Sequence, residues 1–270
     1  MLSRCKGKGL LAPTLATLAA FAMLVGLGTW QWQRKTWKEE LIATIDARIA
    51  APPIAPEQWS GLQCRPMHEV GLAASCEFNM VRLAGHFDYS RDWHVFVNAS
   101  RTAAGPGGPG YFILTPFELD GVPGSRIFVN RGFVPEAQKD AAGWRAGQVS
   151  DRVEIVGQIR TAEQRGTFTN QNSPDANVWY LRNPRELLGL NETEAGPPGW
   201  QTAGPDPLEF YVEQISPVPS GGLPSPRPSR IELPNRHLEY ALTWWGLSLT
   251  LIGVYVAFAF SRIRGWRPDV

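Results

Sequence analysis

The 270-residue chain has almost no excess charge of either sign: 26 Lys and Arg face 25 Asp and Glu, for a net charge of +1. Binding nucleic acid through its phosphates needs a basic surface, so that function class is excluded. Three cysteines and four histidines are few, and none falls in a Cys-x-x-Cys or His-Glu-x-x-His pattern; Gly-x-Ser-x-Gly and the phosphate loop are missing too. The common routes to redox exchange, metal-assisted hydrolysis, acyl transfer and nucleotide binding therefore lack their residues, and the chain does not read as an enzyme. With 43% hydrophobic and 19% charged residues, disorder is not its main state. Gly at 27 and Pro at 23 lie well above average usage, which speaks against a long soluble helical bundle and for short elements joined by turns.

What is present lies first at the ends. Leu10 to Thr29 is 20 residues without a charge, and Tyr240 to Phe260 is 21. At 1.5 Å per residue each helix is about 30 Å long, the thickness of a bilayer core. A cleaved signal peptide is the rival reading of the first run, with Ala20-Phe21-Ala22 as its small-residue site. The apolar run continues through Met23-Leu24-Val25, where a cleavage site should turn polar. Both runs therefore read as transmembrane helices.

Long loops cross a membrane whatever their charge, so orientation rests on the short tails. These hold six cations (Arg4, Lys6, Lys8, Arg262, Arg264 and Arg267) and one acid, Asp269, a net +5. The stretch from Trp30 to Glu239 carries 20 cations and 24 acids, a net −4. Cytoplasmic tails and an exported middle follow. Trp30, Trp32, Trp244 and Trp245 fall near the outer ends of the spans, as amphipathic rings at an interface should, and a hairpin topology puts Trp30 beside Trp244.

After the first span, Trp37, Leu41, Ile45 and Ile49 recur at helical spacing, so the helix should leave the membrane and run to about Arg48 before Pro52-Pro53 stops it. Short runs of period two follow: Val81 and Leu83; Trp93, Val95 and Val97; Val153, Ile155 and Ile159; Phe210 and Val212. Gly105 to Gly110 divides the Trp93 strand from Tyr111 to Leu114 and reads as a hairpin loop. Asn130-Arg131-Gly132 follows a strand from Arg126 to Val129, with Gly132 supplying a turn conformation. Arg131 there serves either an anionic partner or an acid inside the domain. Asn183 and Pro184 read as the cap and first residue of a short helix through Leu188. Ser216 to Pro234 reads as an extended linker. The whole is an α+β membrane protein: tail 1–9, transmembrane helix 10–29, a mostly antiparallel β-rich extracytoplasmic domain 30–239 with short helices, transmembrane helix 240–260, and tail 261–270.

Cys64 and Cys76, on the oxidising side with eleven residues between them, suit a disulfide, two free thiols or, with His68, a metal site of unusual spacing. Cys5 faces the reducing side. His86 and His94 on strands read as structural. His237 stands at the outer mouth of the second span, with Tyr240, Ala241 and Trp244 on the same helical face. It is either an interfacial, hydrogen-bonded histidine or an iron ligand for a lipophilic haem whose propionates reach Arg236 or Arg34.

Leu27-Gly28-Thr29-Trp30-Gln31-Trp32-Gln33-Arg34, followed by Trp37-Lys38 and Leu41-Ile42, resembles the opening motif of the surfeit locus protein 1 family of cytochrome c oxidase assembly factors. Leu114-Thr115-Pro116-Phe117 and Val129-Asn130-Arg131-Gly132-Phe133-Val134-Pro135 resemble its central hairpin, and His237-Leu238-Glu239-Tyr240-Ala241-Leu242-Thr243-Trp244 its closing motif. Two departures stand out: Phe133 replaces the usual Trp, and Asn183 replaces an expected Asp. The resemblance implies a chaperone of respiratory chain biogenesis in the cell inner membrane, with both termini cytoplasmic and a periplasmic central domain. Its implied partners are the oxidase core subunit, the haem a synthesis machinery and the lipid bilayer. It further implies haem a as cofactor with His237 on the iron, Trp30 and Trp244 flanking the macrocycle, and Arg34 and Arg236 on its propionates. Gly28, Gln31, Trp37, Asn130, Arg131, Gly132 and Tyr240 complete the motif set. A scaffold that stabilises an oxidase intermediate without touching haem is the alternative.

The topology is directly testable. A periplasm-active reporter inserted between Ser216 and Pro234 should be active, and the same reporter after Val270 inactive; activity at the C-terminal fusion would overturn the orientation.

Overall fold

The computed structural model describes residues 9–71, 74–99, 107–121, 124–139, 144, 147–149, 151–202, 204–226, 228 and 235–264. It divides into a helical unit, 1–43 with 232–270, and a second unit, 44–231. The cationic residues of the two tails, other than Arg262 and Arg264, lie outside the described residues, as do Cys5, Gly105, Pro106 and most of the chain from 227 to 234.

The helical unit is built on α1 (Leu11–Ala50) and α4 (His237–Arg264), both long and apolar enough to cross a membrane. Pro13 sits in the first turn of α1, where a missing N–H costs nothing, and Pro52-Pro53 follows its end. Arg262 and Arg264 complement the carbonyl end of α4. In α1 the partly or fully buried positions include 14, 17, 21, 24, 28, 31, 35 and 38, and in α4 they include 237, 241, 244, 248, 251 and 255. Steps alternating between three and four residues keep one seam on one face of each helix, as in a coiled coil. The contacts along the seam run antiparallel: Thr14 shares a hydrogen bond with Tyr255, Trp32 meets Trp245 with ring centroids 6.0 Å apart, and Asn235 donates to the Lys35 carbonyl at 3.5 Å.

The second unit is a mixed, mostly antiparallel sheet of β1 (Met80–Phe87), β2 (Trp93–Ala99), β3 (Gly108–Leu119), β4 (Arg126–Pro135), β5 (Val153–Thr161) and β6 (Phe210–Ser216). The order is β1-β5-β6-β4-β3-β2, with β1 also pairing with the end of β3 from Phe117 to Leu119. That pairing closes β1, β5, β6, β4 and β3 into a ring, while β2 occupies the remainder of the same β3 edge. Among the six described strands, β4 and β6 form the parallel pair. Period two sorts the side chains: Val81, Leu83, Ile127, Val129, Phe210 and Val212 fill one core with Trp59, whereas Phe128 and Tyr211 turn to a second core with Trp93, Trp179 and Trp200. Burial on both faces is why Ile127-Phe128-Val129 in β4 shows no apolar–polar alternation.

Three features differ from expectation. Strand β4 does not end at Val129. Phe112 pairs with Phe133 but Leu114 with Asn130, so Arg131 and Gly132 together oppose Ile113 as a β-bulge within one strand. Gly132 has φ +130°, and a side chain there would meet the Ser225 carbonyl at 2.2 Å, because Ser225 and Phe133 exchange backbone hydrogen bonds. The first part of the supposed linker is thus docked on β4 rather than extended.

Cys64 and Cys76 form a disulfide. Beside it, Arg48 near the end of α1 donates to the Ser75 and Glu77 carbonyls, both at 2.8 Å. The short helix α2 (Met67–Val70) lies within the disulfide loop. A second short helix, α3 (Pro184–Leu187), is capped by Asn183, whose Oδ1 accepts from the Arg185 and Glu186 amides while its Nδ2 donates to the Glu163 carbonyl. An Asp here would keep the cap and lose the donor, which accounts for an amide at this position.

The charge centre of this unit is Arg182. Its guanidinium donates to Glu163 and, at 2.8 Å, to Glu213, and it lies over the Phe112 and Tyr211 rings. Burial alone would lower the Arg182 pKa, but Tyr211, Glu163 and Glu213 around it raise it above the usual value. Burial likewise pushes the Tyr211 phenol up. For Glu163, burial pushes upward, yet the Arg182 charge and hydrogen bonds win and hold it below the ordinary carboxylate value. A depressed carboxylate stabilises the fold above its unfolded pKa, and that contribution is lost as pH falls through the lower folded value. Arg182→Ala removes the cation that pairs with Glu213, which is 1% exposed, and should cost about 3–5 kcal/mol. Denaturation of the full-length protein in detergent should show this loss, its partial recovery when Glu213→Gln is added, and wild-type destabilisation below about pH 4. A change under 1 kcal/mol on Arg182→Ala would contradict the assignment.

Candidate functional site

The helical unit contains a cleft of about 460 Å³ lined by Lys38, Arg236, His237 and Tyr240. His237 is the first residue of α4, and its Nδ1 lies 2.6 Å from Gln31 Oε1. Both belong to the seam, where three-and-four spacing carries Gly28 to Gln31 on α1 and His237 to Ala241 on α4. The approach is set one turn deeper. A Cβ on Gly28 would fall 2.3 Å from the Trp245 indole nitrogen, so only a residue without a side chain admits that ring. Gln31 and His237 are both partly buried and meet across the helices, each supported by packing on its own helix.

The hydrogen bond decides what the imidazole can do. A carboxamide oxygen only accepts, so this contact suits the tautomer with its proton on Nδ1, in which Nε2 keeps its lone pair. Nε2 makes no hydrogen bond among the described residues. The open cleft thus sets an imidazole with one nitrogen outside any hydrogen bond among the described residues beside two cationic side chains and a phenol, groups that could offer a ligand atom and positive charge. The apolar length of α4 begins directly below it. Among the described residues no three His, Cys, Asp or Glu side chains gather to hold a metal.

The other residues singled out from sequence are distributed differently. Trp30 is 54% exposed and makes no ring contact with Trp244 among the described residues. It follows Gly28 by two positions, about 200° around the helix, and so points away from the seam. The cross-helix ring pair is Trp32 with Trp245. Arg34 is stacked on Trp37 at 3.9 Å, and it is Lys38 that lines the cleft with Arg236. Tyr240 lines it as well, one turn after His237.

Asn130, Arg131 and Gly132 belong to the second unit. Asn130 accepts from the Gly132 amide at 3.1 Å inside the bulge. Arg131 is 1% exposed, its guanidinium 5.3 and 4.9 Å from the stacked Phe87 and Tyr89 rings, with the Gly147 carbonyl 3.5 Å from Nη2. Burial lowers its pKa, against the pull of Tyr89 and Asp92. Of its two sequence readings, neither an anionic partner nor an ion pair with an acid is seen among the described residues: Arg131 lies inside the domain against aromatic rings, with Asp92 acting on it through charge alone. His94 is buried against Tyr111 and Trp144, and His86 is exposed on β1.

From sequence, Gln31 is named only as part of a family motif, and Lys38 is not named as lining the cleft. The signal for both is the antiparallel register: a seam in which Gly28 faces Trp245 and Lys35 faces Asn235 must bring Gln31 to His237.

Residues 18–249 match the model of the SURF1 family. The chain is similar to surfeit locus protein 1 of Mus musculus, 34% identical over 235 residues that span 84% of this chain and 69% of that protein. It is similar to the Homo sapiens protein of the same name, 32% identical over 236 residues (83% and 69%). The Takifugu rubripes protein is 28% identical over 253 residues, 90% of this chain and 95% of its own.

The Gly28 approach yields a test. Gly28→Val puts a branched side chain into the Trp245 indole and should cost about 1–3 kcal/mol, seen as reduced protein in the membrane and a lowered melting temperature. Adding Trp245→Ala should restore part of the loss. Normal abundance and melting of Gly28→Val alone would show that the helices do not meet there.

Proposed function

The chain belongs to the SURF1 family, and on that premise we propose that it serves cytochrome c oxidase assembly by holding haem a at the mouth of its helix pair, with His237 as axial ligand, for insertion into the oxidase core subunit. The carrying observation is the cleft at His237: an imidazole hydrogen-bonded through Nδ1, flanked by Lys38 and Arg236, at the first turn of an apolar helix. Its volume, about 460 Å³, lies within the roughly 300–1,000 Å³ usual for small-molecule sites. Haem a supplies the iron centre the oxidase needs, together with a hydrocarbon tail and two carboxylates.

The chain's own groups match those parts. His237 provides a neutral nitrogen, Lys38 and Arg236 provide positive charge for carboxylates at the water side, and the uncharged face of α4 provides a surface for a tail in lipid. Partners then follow from the cargo: the machinery that makes haem a on one side and the core subunit on the other.

The proposal includes placement. Both helices lie in the bacterial inner membrane with the tails in the cytoplasm, and the β-rich unit is periplasmic. Two observations support this: the net +5 of the tails against the −4 of the middle, and the Cys64–Cys76 disulfide, a bond of oxidising compartments.

His237→Ala should abolish the haem spectrum of the purified protein while membrane insertion stays normal, because the change makes the span no less apolar. If the variant co-purifies with haem a at wild-type stoichiometry and band positions, His237 is not the ligand and the scaffold reading takes its place.

A further inference from the structure

We infer that Gln31 is a positioning residue that holds His237 in the Nδ1–H tautomer and so makes Nε2 the nitrogen offered to iron; the inference rests on the haem reading above. A neutral imidazole has a single N–H, and the partner of one nitrogen decides which carries it. The hydrogen bond of the His237 ring among the described residues is the 2.6 Å contact from Nδ1 to Gln31 Oε1. Through its oxygen the carboxamide accepts and requires a proton on Nδ1; through its NH₂ group it would donate and push the proton to Nε2, closing that nitrogen to a metal.

Three further features favour the accepting arrangement as a built one. Gln31 lies in the helix seam, one turn beyond the Gly28 position that admits Trp245, so its backbone is fixed relative to α4. His237 opens α4, where the positive end of the helix is already lined by backbone N–H groups, and an accepting oxygen suits that surrounding better than another donor. Lys38 and Arg236 beside the ring are donors only, and of the acceptors nearby it is Gln31 that meets Nδ1, at 2.6 Å. An acceptor behind a ligating histidine also raises the basicity of the ligating nitrogen and fixes the plane of the ring, the usual second partner of a metal-bound imidazole.

The test has an arm that needs no haem. Full-length protein labelled with ¹⁵N in histidine is placed in lipid nanodiscs at alkaline pH, where imidazole is neutral, and the two ring-nitrogen shifts of His237 are read. The wild type should be in the Nδ1–H form. Gln31→Glu, an ionised carboxylate that can only accept, should keep it, and Gln31→Leu should move the population toward Nε2–H. A wild-type ring in the Nε2–H form, or a Leu variant with an unchanged ring, overturns the assignment; if the Leu variant does not fold, the wild-type and Glu spectra decide.

The second arm uses haem-loaded protein. Gln31→Leu should weaken haem binding about 10- to 100-fold and lower the iron–histidine stretching frequency, whereas Gln31→Glu should restore binding and raise that frequency. Equal affinity and frequency in all three proteins overturns the positioning role. Haem retained by His237→Ala would instead overturn the ligand reading, and the ¹⁵N result separates the two failures.

Discussion

Apolar helix segments paired within lipid need backbones close enough for dispersion and a few hydrogen bonds to hold them, since lipid offers no hydrophobic driving force for their association. In this protein that closeness depends on one position, Gly28, against which the Trp245 ring lies where any side chain would stand. The antiparallel register follows from it. Thr14 meets Tyr255 toward one end, and Gln31 meets His237 toward the other. The cleft at His237 is thus a consequence of helix packing, built at the point where the seam passes from apolar contact to polar contact.

The second unit solves a different problem. Its strands close on themselves through the β1–β3 pairing, which removes most open edges and leaves β4 buried on both faces. Inside such a sheet, polar groups persist only when paired. Arg182 with Glu163 and Glu213 meets that demand through charge, whereas Arg131 meets it largely through the Phe87 and Tyr89 rings. The bulge at Arg131 and Gly132 bends β4 where Ser225 crosses it, so two segments read from sequence as a turn and a linker are parts of one packed arrangement.

Much of this architecture was legible in the residues. Runs of 20 and 21 uncharged positions mark the two long helices, and period two at Val81, Trp93, Val153 and Phe210 marks four of the strands, because each pattern follows from the geometry of one element. Asn183 with Pro184 marked a cap for the same reason. What was hidden depends on register between elements. The continuation of β4 past Asn130 is decided by its partner β3, and the docking of Ser225 by the space over Gly132. The Trp30–Trp244 pairing failed for a related reason: both lie at the right depth, but Trp30 sits on the wrong side of its helix. The same angular argument, applied from Gly28, leads to Gln31 and Lys38.

The family relationship and the cleft meet at one question, whether this chain itself carries haem. The most direct measurement is the absorption spectrum and haem content of the wild-type protein purified in mild detergent from cells that synthesise haem a. The account predicts haem a bands characteristic of a histidine-ligated iron, at a stoichiometry approaching one per chain. Protein that purifies folded and haem-free from such cells, while still bound to the oxidase core subunit, would contradict it and leave a scaffold.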